Sequence, residues 1–263
     1  MKKNDILEEL SSMRRADAEE RAASVPFDEM MRRAAAAPAA RDFAAVFAGD
    51  GMHVISELKR ASPSEGMIRE DFRPLELAHE LEGAGAAALS VLCEPHRFLG
   101  DEMYLAEVRR NVAIPVLYKD FVTTRYQIAA ARAAGADAVL LITAVLGDEE
   151  LRELLAFAHG VGLSALVETH DEREIERAVC AGARIIGVNC RNLRNFTCDT
   201  SLLETLIGRI PGSCVRIAES GMHTGEALRR AKAAGANGFL VGTALMRAEH
   251  PGEKLRELMS PNS

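Results

Sequence analysis

Short apolar runs alternate along the chain with longer stretches in which apolar residues recur every three or four positions. The runs are rich in Val, Ile and Leu, the composition of strands buried on both faces. The stretches between them, such as 149–160 and 171–183, have the period of amphipathic helices. Alternating strands and helices indicate an α/β protein. The predicted strands are 53–57, 87–92, 114–118, 137–142, 164–168, 185–189, 215–219 and 238–242.

A repeated phrase, Ala-Gly-Ala, precedes four of these strands. Its glycines recur at intervals of 50, 47 and 53 residues, at Gly85, Gly135, Gly182 and Gly235. Each interval is about twice one strand plus one helix, which predicts a (βα)8 TIM barrel. A doubly wound sheet would share the alternation, but the Gly-x-Gly-x-x-Ala match at Gly160 precedes a strand instead of following one.

The first 48 residues contain no good strand. They are charged and rich in Ala, and Pro26 and Pro38 divide them into predicted helices. We therefore expect an N-terminal helical extension over 1–48, packed on a (βα)8 barrel over 49–263, with a single domain overall.

Composition and charge limit which binding partners and which cellular location we expect for this protein. Of the 263 residues, 48% are hydrophobic and 27% are charged, which is typical of a globular protein. The net charge of −7, without a basic run, argues against nucleic acid or a membrane as the main partner. Charged residues follow Met1 where a targeting segment would be apolar, so we expect a cytoplasmic protein.

The cysteines and histidines give no sign of a disulfide framework or a metal site. The five cysteines form no Cys-x-x-Cys pair, and the seven histidines lack His-x-x-x-His spacing. We expect reduced thiols and no metal. The cysteines are Cys93, Cys180, Cys190, Cys198 and Cys214.

Polar side chains follow seven of the eight predicted strands, at the barrel face where such enzymes hold their active sites. Polar residues also occur at strand ends simply because strands reach solvent there. Solvent exposure explains a single such residue well, but it explains less well why polar residues follow nearly all the strands of one barrel. The residues at or just beyond the strands are Glu57, Lys59, Ser90, Lys119, Thr143, Glu168, Asn189, Arg191, Glu219, Ser220, Gly242 and Thr243.

Lys119 and Glu168 are the strongest candidates for chemistry. Apolar walls and other cations would lower the proton affinity of Lys119, which suits a general acid, an anion anchor or a Schiff base. Partial desolvation would raise the basicity of Glu168 toward neutral pH, which suits a general base. Two plainer alternatives remain: Lys119 extends to water, or Glu168 forms a salt bridge with a lysine.

Two segments are typical of phosphate sites. Glu219-Ser220-Gly221 follows the seventh strand and Gly242-Thr243 follows the eighth, where barrels commonly bind phosphate through backbone N–H groups. After the first strand, alternation points Glu57 and Lys59 the same way, so the carboxylate can orient the ammonium.

These residues resemble the indole-3-glycerol phosphate synthase family, a group of barrel enzymes of tryptophan biosynthesis. The resemblance runs from about residue 4 to 248 and its motifs occur in one order at the strand ends. They are Glu57-Leu58-Lys59-Arg60, Ser62-Pro63-Ser64, Leu89-Ser90-Val91-Leu92-Cys93-Glu94-Pro95, Lys119-Asp120-Phe121, Val167-Glu168, Asn189-Cys190-Arg191-Asn192-Leu193 and Ala218-Glu219-Ser220-Gly221.

The resemblance implies the ring closure of 1-(2-carboxyphenylamino)-1-deoxyribulose 5-phosphate to indole-3-glycerol phosphate, CO2 and water, without a cofactor. It makes Lys119 the general acid and Glu168 an acid or base in the dehydration, and it makes Lys59, oriented by Glu57, the anchor of the substrate carboxylate. Asn189 and Glu219 join the catalytic set. Arg191, Ser90 and Ser220 are implied to bind substrate, and the phosphate side is assigned to Ser62, Lys59, Ser220, Gly221, Gly242 and Thr243.

Departures from the family pattern leave every ionisable catalytic group in place. They are Cys93, Cys190, Asn192 and Thr243, and they affect expectations of fine specificity. We expect a monomer or weak homo-oligomer, with association with other tryptophan-pathway enzymes as a further partner expectation.

Three other readings stay open from the sequence. The first is a Schiff-base aldolase on the same barrel with Lys119 as nucleophile. The second is phosphoribosylanthranilate isomerase, although its Cys and Asp pair is not evident at the strand ends. The third is a barrel that binds a phosphorylated metabolite without turning it over.

Overall fold

The computed structural model describes residues 6–191 and 200–260, and in it eight parallel strands close into a barrel. Each strand pairs with its neighbours in the sequence, and the last strand pairs with the first. The strands are β1 (His53–Leu58), β2 (Ala88–Leu92), β3 (Val116–Lys119), β4 (Ala138–Ile142), β5 (Ser164–Thr169), β6 (Ile185–Asn189), β7 (Val215–Glu219) and β8 (Gly238–Val241). The predicted (βα)8 barrel is confirmed, and the predicted strands agree with these bounds to within two residues. Asn192, Leu193 and Cys198 lie outside the described residues.

Two helices precede the first strand, and the others lie between or after the strands and cover the barrel. They are α1 (Ile6–Ser24), α2 (Phe27–Ala36), α3 (Pro74–Gly83), α4 (Glu102–Asn111), α5 (Arg125–Ala133), α6 (Asp148–Gly160), α7 (Glu172–Ala181), α8 (Thr200–Ile207), α9 (Gly225–Ala233), α10 (Thr243–Met246) and α11 (Pro251–Met259). No helix among residues 6–191 and 200–260 is long and apolar enough to cross a bilayer.

The repeated glycines end helices. Gly85, Gly135, Gly182 and Gly235 all have φ between 91° and 106°, in the left-handed region that a residue with a Cβ adopts at a cost. Each glycine therefore turns the chain from the end of a helix toward the next strand. Several of the helices that follow begin with a side-chain cap, and the caps are Asp101, Thr124, Asp171 and Thr224.

Side-chain alternation divides each strand between two cores. One cluster takes at least one residue from every strand, including Ile55, Leu117, Leu166 and Leu240, so it fills the barrel interior. The alternate residues pack outward against the helices. Because Lys119 and Glu168 lie two residues beyond Leu117 and Leu166, their side chains share the interior face at its carboxyl end.

The N-terminal extension contacts the barrel at both ends. At the mouth, Arg14 of α1 donates hydrogen bonds to the buried carboxylate of Asp120, from Nε to Oδ1 at 2.9 Å and to Oδ2 at 3.1 Å, and from Nη2 to Oδ2 at 2.7 Å. Helix α2 then packs along α5. At the opposite end, Phe43 and Phe47 join the interior cluster. The extension therefore fixes the strand end that carries Lys119.

Candidate active site

A cavity opens at the carboxyl ends of the strands, and every catalytic and phosphate-binding residue predicted from the sequence lines it. Ile6, Leu7 and Leu10 of α1 form part of its wall, so the extension helps to enclose it. The predicted residues that line it are Glu57, Lys59, Ser62, Lys119, Glu168, Asn189, Arg191, Glu219, Ser220, Gly221, Gly242 and Thr243.

Lys119 lies at the centre of a group of buried carboxylates. Its Nζ atom is 3.3 Å from Glu168 Oε2 and 3.7 Å from Glu219 Oε2. Glu168 and Glu219 are 2% and 1% exposed, so these contacts form in a poorly solvated place. An ammonium from β3 and carboxyl groups from β5 and β7 therefore face one another across the mouth.

The environment of Lys119 is the opposite of the one predicted from the sequence. Burial on its own would lower the pKa of Lys119, but the charges of Glu168, Glu219 and Glu57 outweigh burial and raise the pKa above its ordinary value. The expected loss of proton affinity is therefore wrong. The ammonium stays charged at neutral pH, which fits a proton donor and disfavours an amine nucleophile.

The two acidic partners of Lys119 differ in their ionisation. Burial acts to raise the pKa of Glu168, but Lys119 and His170 outweigh it, so the pKa lies below its ordinary value. The expected gain in basicity for Glu168 is therefore wrong. For Glu219, burial and the adjacent Glu168 charge raise the pKa to about 8. Within this coupled pair, the proton is therefore held preferentially by Glu219, while Glu168 is the preferred carboxylate.

The first strand supplies an ion pair. Lys59 Nζ lies 2.7 Å from Glu57 Oε1, so alternation places the two as predicted. Burial would raise the pKa of Glu57, but Lys59 and Lys119 outweigh burial and lower it. A Cβ at Gly242 would overlap Glu57 Oε1 and lie 3.1 Å from Lys59 Nζ. The residue directly after β8 must therefore be glycine for this ion pair to keep its position.

Asn189 organises the ends of β6 and β7. Its Oδ1 atom accepts hydrogen bonds from Ser220 Oγ at 2.7 Å and from the backbone N–H of Arg191 at 3.0 Å. Ser220 and Gly221 both have positive φ, at 63° and 71°. Arg191 Nη1 donates to Ser64 Oγ at 3.0 Å, which links this side of the mouth to the loop after β1.

Ser90 is the predicted substrate-binding residue that the structure does not bring to the cavity wall. It is fully buried inside the barrel, in register with Leu117, one interior layer below Lys119. Leu92, in register with Lys119, takes the lining position instead. Cys93 packs in the outer core, so this departure from the family pattern does not face the cavity.

The expectation of reduced thiols is wrong for one cysteine. Cys190 is disulfide-bonded. Cys93, Cys180 and Cys214 are free. The sequence lacks a Cys-x-x-Cys spacing, but a disulfide depends on the distance between residues in the fold, which spacing alone does not give.

Sequence reasoning missed His170, which follows Glu168 by two residues at the end of β5. Its Nε2 atom is 3.3 Å from Glu168 Oε1. The i, i+2 spacing that links Glu57 with Lys59 was also present here, and it is the signal that would have found the residue.

Replacing Gly187 with alanine is expected to lower kcat about 10²-fold, because a 1 Å misplacement of a site group has effects of that order. A Cβ at Gly187 would overlap Glu219 Oε1 and lie 3.2 Å from Leu166 Cδ1, so the carboxyl group must move. Steady-state kinetics measure the loss. Gly160→Ala is the control, since a Cβ there meets no atom within 4 Å. Equal activity of the two variants would show that Glu219 has room to adjust.

The closed barrel and the charged cavity at the carboxyl ends of its strands define a TIM-barrel enzyme with its active site at that face. A family model described as indole-3-glycerol phosphate synthase matches residues 7–258. The chain belongs to the indole-3-glycerol phosphate synthase family, carboxy-lyases of tryptophan biosynthesis that act on a small phosphorylated substrate.

Similar proteins cover the chain almost completely. The indole-3-glycerol phosphate synthase of Campylobacter curvus is 44% identical over 248 residues, which are 93% of this chain and 95% of that protein. The one from Streptomyces griseus is 45% identical over 255 residues, 97% of this chain and 95% of that protein.

More distant solved structures share the fold. Thiamine phosphate pyrophosphorylase from Pyrococcus furiosus has a TM-score of 0.58 at 16% identity, over 80% of this chain and 94% of that one. A mandelate oxidase mutant has a TM-score of 0.57 at 17% identity, over 79% of this chain and 70% of that one. At these identities the likeness concerns the barrel alone.

Proposed function

We propose that Lys119 and Glu168 carry the ring closure of 1-(2-carboxyphenylamino)-1-deoxyribulose 5-phosphate, with Lys119 as general acid and Glu168 as the base of the dehydration. The observation that supports these roles is the 3.3 Å contact between a buried ammonium and a buried carboxylate in the cavity. Each group keeps the other charged, so an acid and a base are present together at neutral pH.

The reaction sets the proton requirement. The aromatic carbon that bears the carboxylate attacks the ketone carbon, and the ketone oxygen takes one proton to become a hydroxyl. CO2 then leaves, and the electron pair of the broken C–C bond restores the aromatic ring. The hydroxyl takes a second proton and leaves as water while a base removes one C–H proton. Two protons are delivered and one is recovered, so each turnover consumes one.

Lys59 and Glu57 form the anchor for the substrate carboxylate in this proposal. The ammonium keeps its position because Glu57 Oε1 holds it at 2.7 Å. Glu219 helps in a different way: with a pKa of about 8 it is neutral at pH 7 and does not repel a second carboxylate. Asn189 and Arg191 complete the anthranilate side.

The phosphate is proposed to bind at the ends of β7 and β8. Backbone N–H groups approach an anion closely where the residues are small or have positive φ, as Ser220 and Gly221 do. The proposed phosphate residues all line one side of the same cavity, and they are Ser62, Lys59, Ser220, Gly221, Gly242 and Thr243. Carboxylate and phosphate sites that share only Lys59 would hold the two ends of the flexible substrate in a reactive geometry.

Incubation of the purified protein with the carboxyphenylamino-deoxyribulose phosphate tests the proposal directly. We expect indole fluorescence to appear and one CO2 to be released per product. The Schiff-base alternative is tested by borohydride with a ketose phosphate: a covalent adduct at Lys119 supports an aldolase. The charged state of Lys119 argues against that adduct.

Replacing Lys59 with alanine is expected to raise KM for the substrate about tenfold or more, because a charge-assisted contact contributes about 1.5 to 3 kcal/mol. Turnover at saturation should fall less than KM rises. Initial rates over a range of substrate concentrations measure both constants, with Lys254→Ala on α11 as the control. A normal KM for Lys59→Ala would refute the anchoring role.

We further propose a cytoplasmic protein that is a monomer or weak homo-oligomer and folds as one unit from its extension to the end of the barrel. Contacts of α1 with Asp120 and of Phe43 and Phe47 with the barrel interior support the single unit. Light scattering of the purified chain measures the oligomeric state.

A further inference from the structure

Glu168 contacts a different cation with each of its two carboxylate oxygens. Oε2 lies 3.3 Å from Lys119 Nζ in the active-site cavity, and Oε1 lies 3.3 Å from His170 Nε2. A carboxylate held in this way has one oxygen available to the reaction and one turned away from it. Lys119 is the proposed general acid, whereas His170 has so far been described only as a charge that lowers the pKa of Glu168.

His170 is fixed from behind by Glu174 of α7. Its Nδ1 atom lies 3.0 Å from Glu174 Oε2, and its backbone N–H donates to the same oxygen at 2.8 Å. Thr143 Oγ1 donates to Glu174 Oε2 at 2.9 Å and also contacts the backbone oxygen of Glu168 at 2.7 Å. The result is a chain from Glu168 through His170 and Glu174 to Thr143.

His170 and Glu168 line different cavities. Glu168 lines the active-site cavity, while His170 and Glu174 line a second cavity between α1 and the ends of β4, β5 and β6. The His170 side chain is 19% exposed and that of Glu168 is 3% exposed, so the ring is the more accessible of the two. Among the described residues Nε2 has no hydrogen-bond acceptor in good geometry, and Glu168 Oε1 is the carboxylate oxygen beside it.

Charged groups from every neighbouring element act on this pair. Glu174 faces His170 from α7, with Asp171 at its N-terminal cap. Lys119 from β3 and Glu219 from β7 both act on Glu168. The other charged residues that line the second cavity are Glu8 and Arg15 of α1 and Arg191 after β6. Burial would lower the pKa of His170, but Glu168 and Glu174 outweigh burial and raise it to about 10. The ring is therefore a cation at neutral pH.

We propose that His170 is a positioning residue for the ring-closure reaction, which holds Oε1 of Glu168 from behind and so leaves Oε2 ionised and directed at Lys119 and the substrate. This inference rests on the proposed role of Glu168. It adds a residue that touches no substrate and acts only through the base.

The sign of the effect on pH dependence follows from the charges. His170 as a cation lowers the pKa of Glu168, so its removal raises that pKa and protonates Glu168 at a higher pH. Activity that needs the carboxylate then begins at a higher pH. Removal of Glu174 takes one anion from His170, so the pKa of His170 falls from about 10 and the cation is lost earlier as pH rises.

The test is the pH profile of kcat for His170→Asn, compared with wild type. We expect kcat at pH 7 to fall about tenfold or more and KM to change by less than about threefold. The midpoint of the acidic limb of the kcat profile should move to a pH about 1 to 3 units higher. For Glu174→Gln we expect the midpoint of the alkaline limb to move to a lower pH instead. His79→Asn on the exposed face of α3 is the matched control and should retain the wild-type profile.

A second measurement separates positioning from a structural role. In His170→Ala the vacated space opens on the second cavity, so added imidazole should restore part of kcat and move the acidic limb back. An unshifted profile in His170→Asn, or a loss that is equal at every pH and not restored by imidazole, would overturn the inference. Inactive wild-type protein would instead overturn the proposed function, so the two failures are distinguishable.

Discussion

Lys119→Met is expected to reduce kcat by about 10² to 10⁴ fold, the scale of a lost general acid. Methionine keeps an unbranched apolar side chain and removes the ammonium, so the cavity walls change little. The three carboxyl groups around position 119 then lose their shared cation, and the pKa of Glu168 rises. Steady-state assays of indole formation measure the loss. In the pH profile of the remaining activity, the acidic limb should lie at a higher pH than in the wild-type profile.

Lys254→Met is the matched control for that variant. Lys254 lies on α11, pairs with Glu257 at 2.7 Å and is not part of the cavity lining. It should keep wild-type turnover. If Lys119→Met retained kcat within about threefold of wild type, the ammonium would not be the proton donor, and Glu219, which holds a proton below pH 8, would be the next candidate.

Glu168→Gln is expected to have an equally large effect on kcat, about 10² to 10⁴ fold, with little change in KM. The amide has the size of the carboxyl group but cannot accept the C–H proton. It also leaves Lys119 and His170 without the anion between them, so the pKa of His170 falls from about 10. The pH profile of the residual activity reports that change.

Loss of folding must be separated from loss of chemistry for Glu168→Gln. Breaking a buried ion pair by removal of one partner costs about 3 to 5 kcal/mol, so the thermal midpoint is measured alongside kcat. Glu153→Gln on the exposed face of α6 is the control, since its pair with Arg125 is largely solvated. A folded Glu168→Gln enzyme with normal kcat would assign the base to another group.

The barrel was predictable because its signals are local. Each strand is an apolar run, and each helix has the periodicity of an amphipathic helix. The four repeated glycines adopt the left-handed conformation at the ends of helices, a position at which glycine is the typical residue. The meeting of the predicted site residues in one cavity was predictable for a related reason. Once Lys119 and Glu168 are placed at the ends of parallel strands, closure of the barrel brings them together.

The electrostatics of the site were not predictable in the same way. The pKa of Lys119 depends on carboxyl groups from β1, β5 and β7, and the pKa of Glu168 depends on His170 as well as Lys119. These neighbours are distant in sequence, so reasoning about each residue alone gave the wrong direction for both. The position of Ser90 below the cavity wall was not predictable for a geometric reason. The stagger between neighbouring strands decides in which layer of the barrel interior a residue lies, and the sequence does not state that stagger.

The contact between Arg14 and Asp120 has a consequence for any attempt to shorten this enzyme. A chain trimmed to start at β1 would keep all eight strands and every acid and base at the mouth. It would nevertheless remove the Arg14 guanidinium from the Asp120 carboxylate, which is next in sequence to Lys119. Among the described residues, that carboxylate would keep the Tyr118 hydroxyl and the Phe121 backbone amide as hydrogen-bond partners. We therefore expect the minimal catalytic unit to be larger than the minimal barrel.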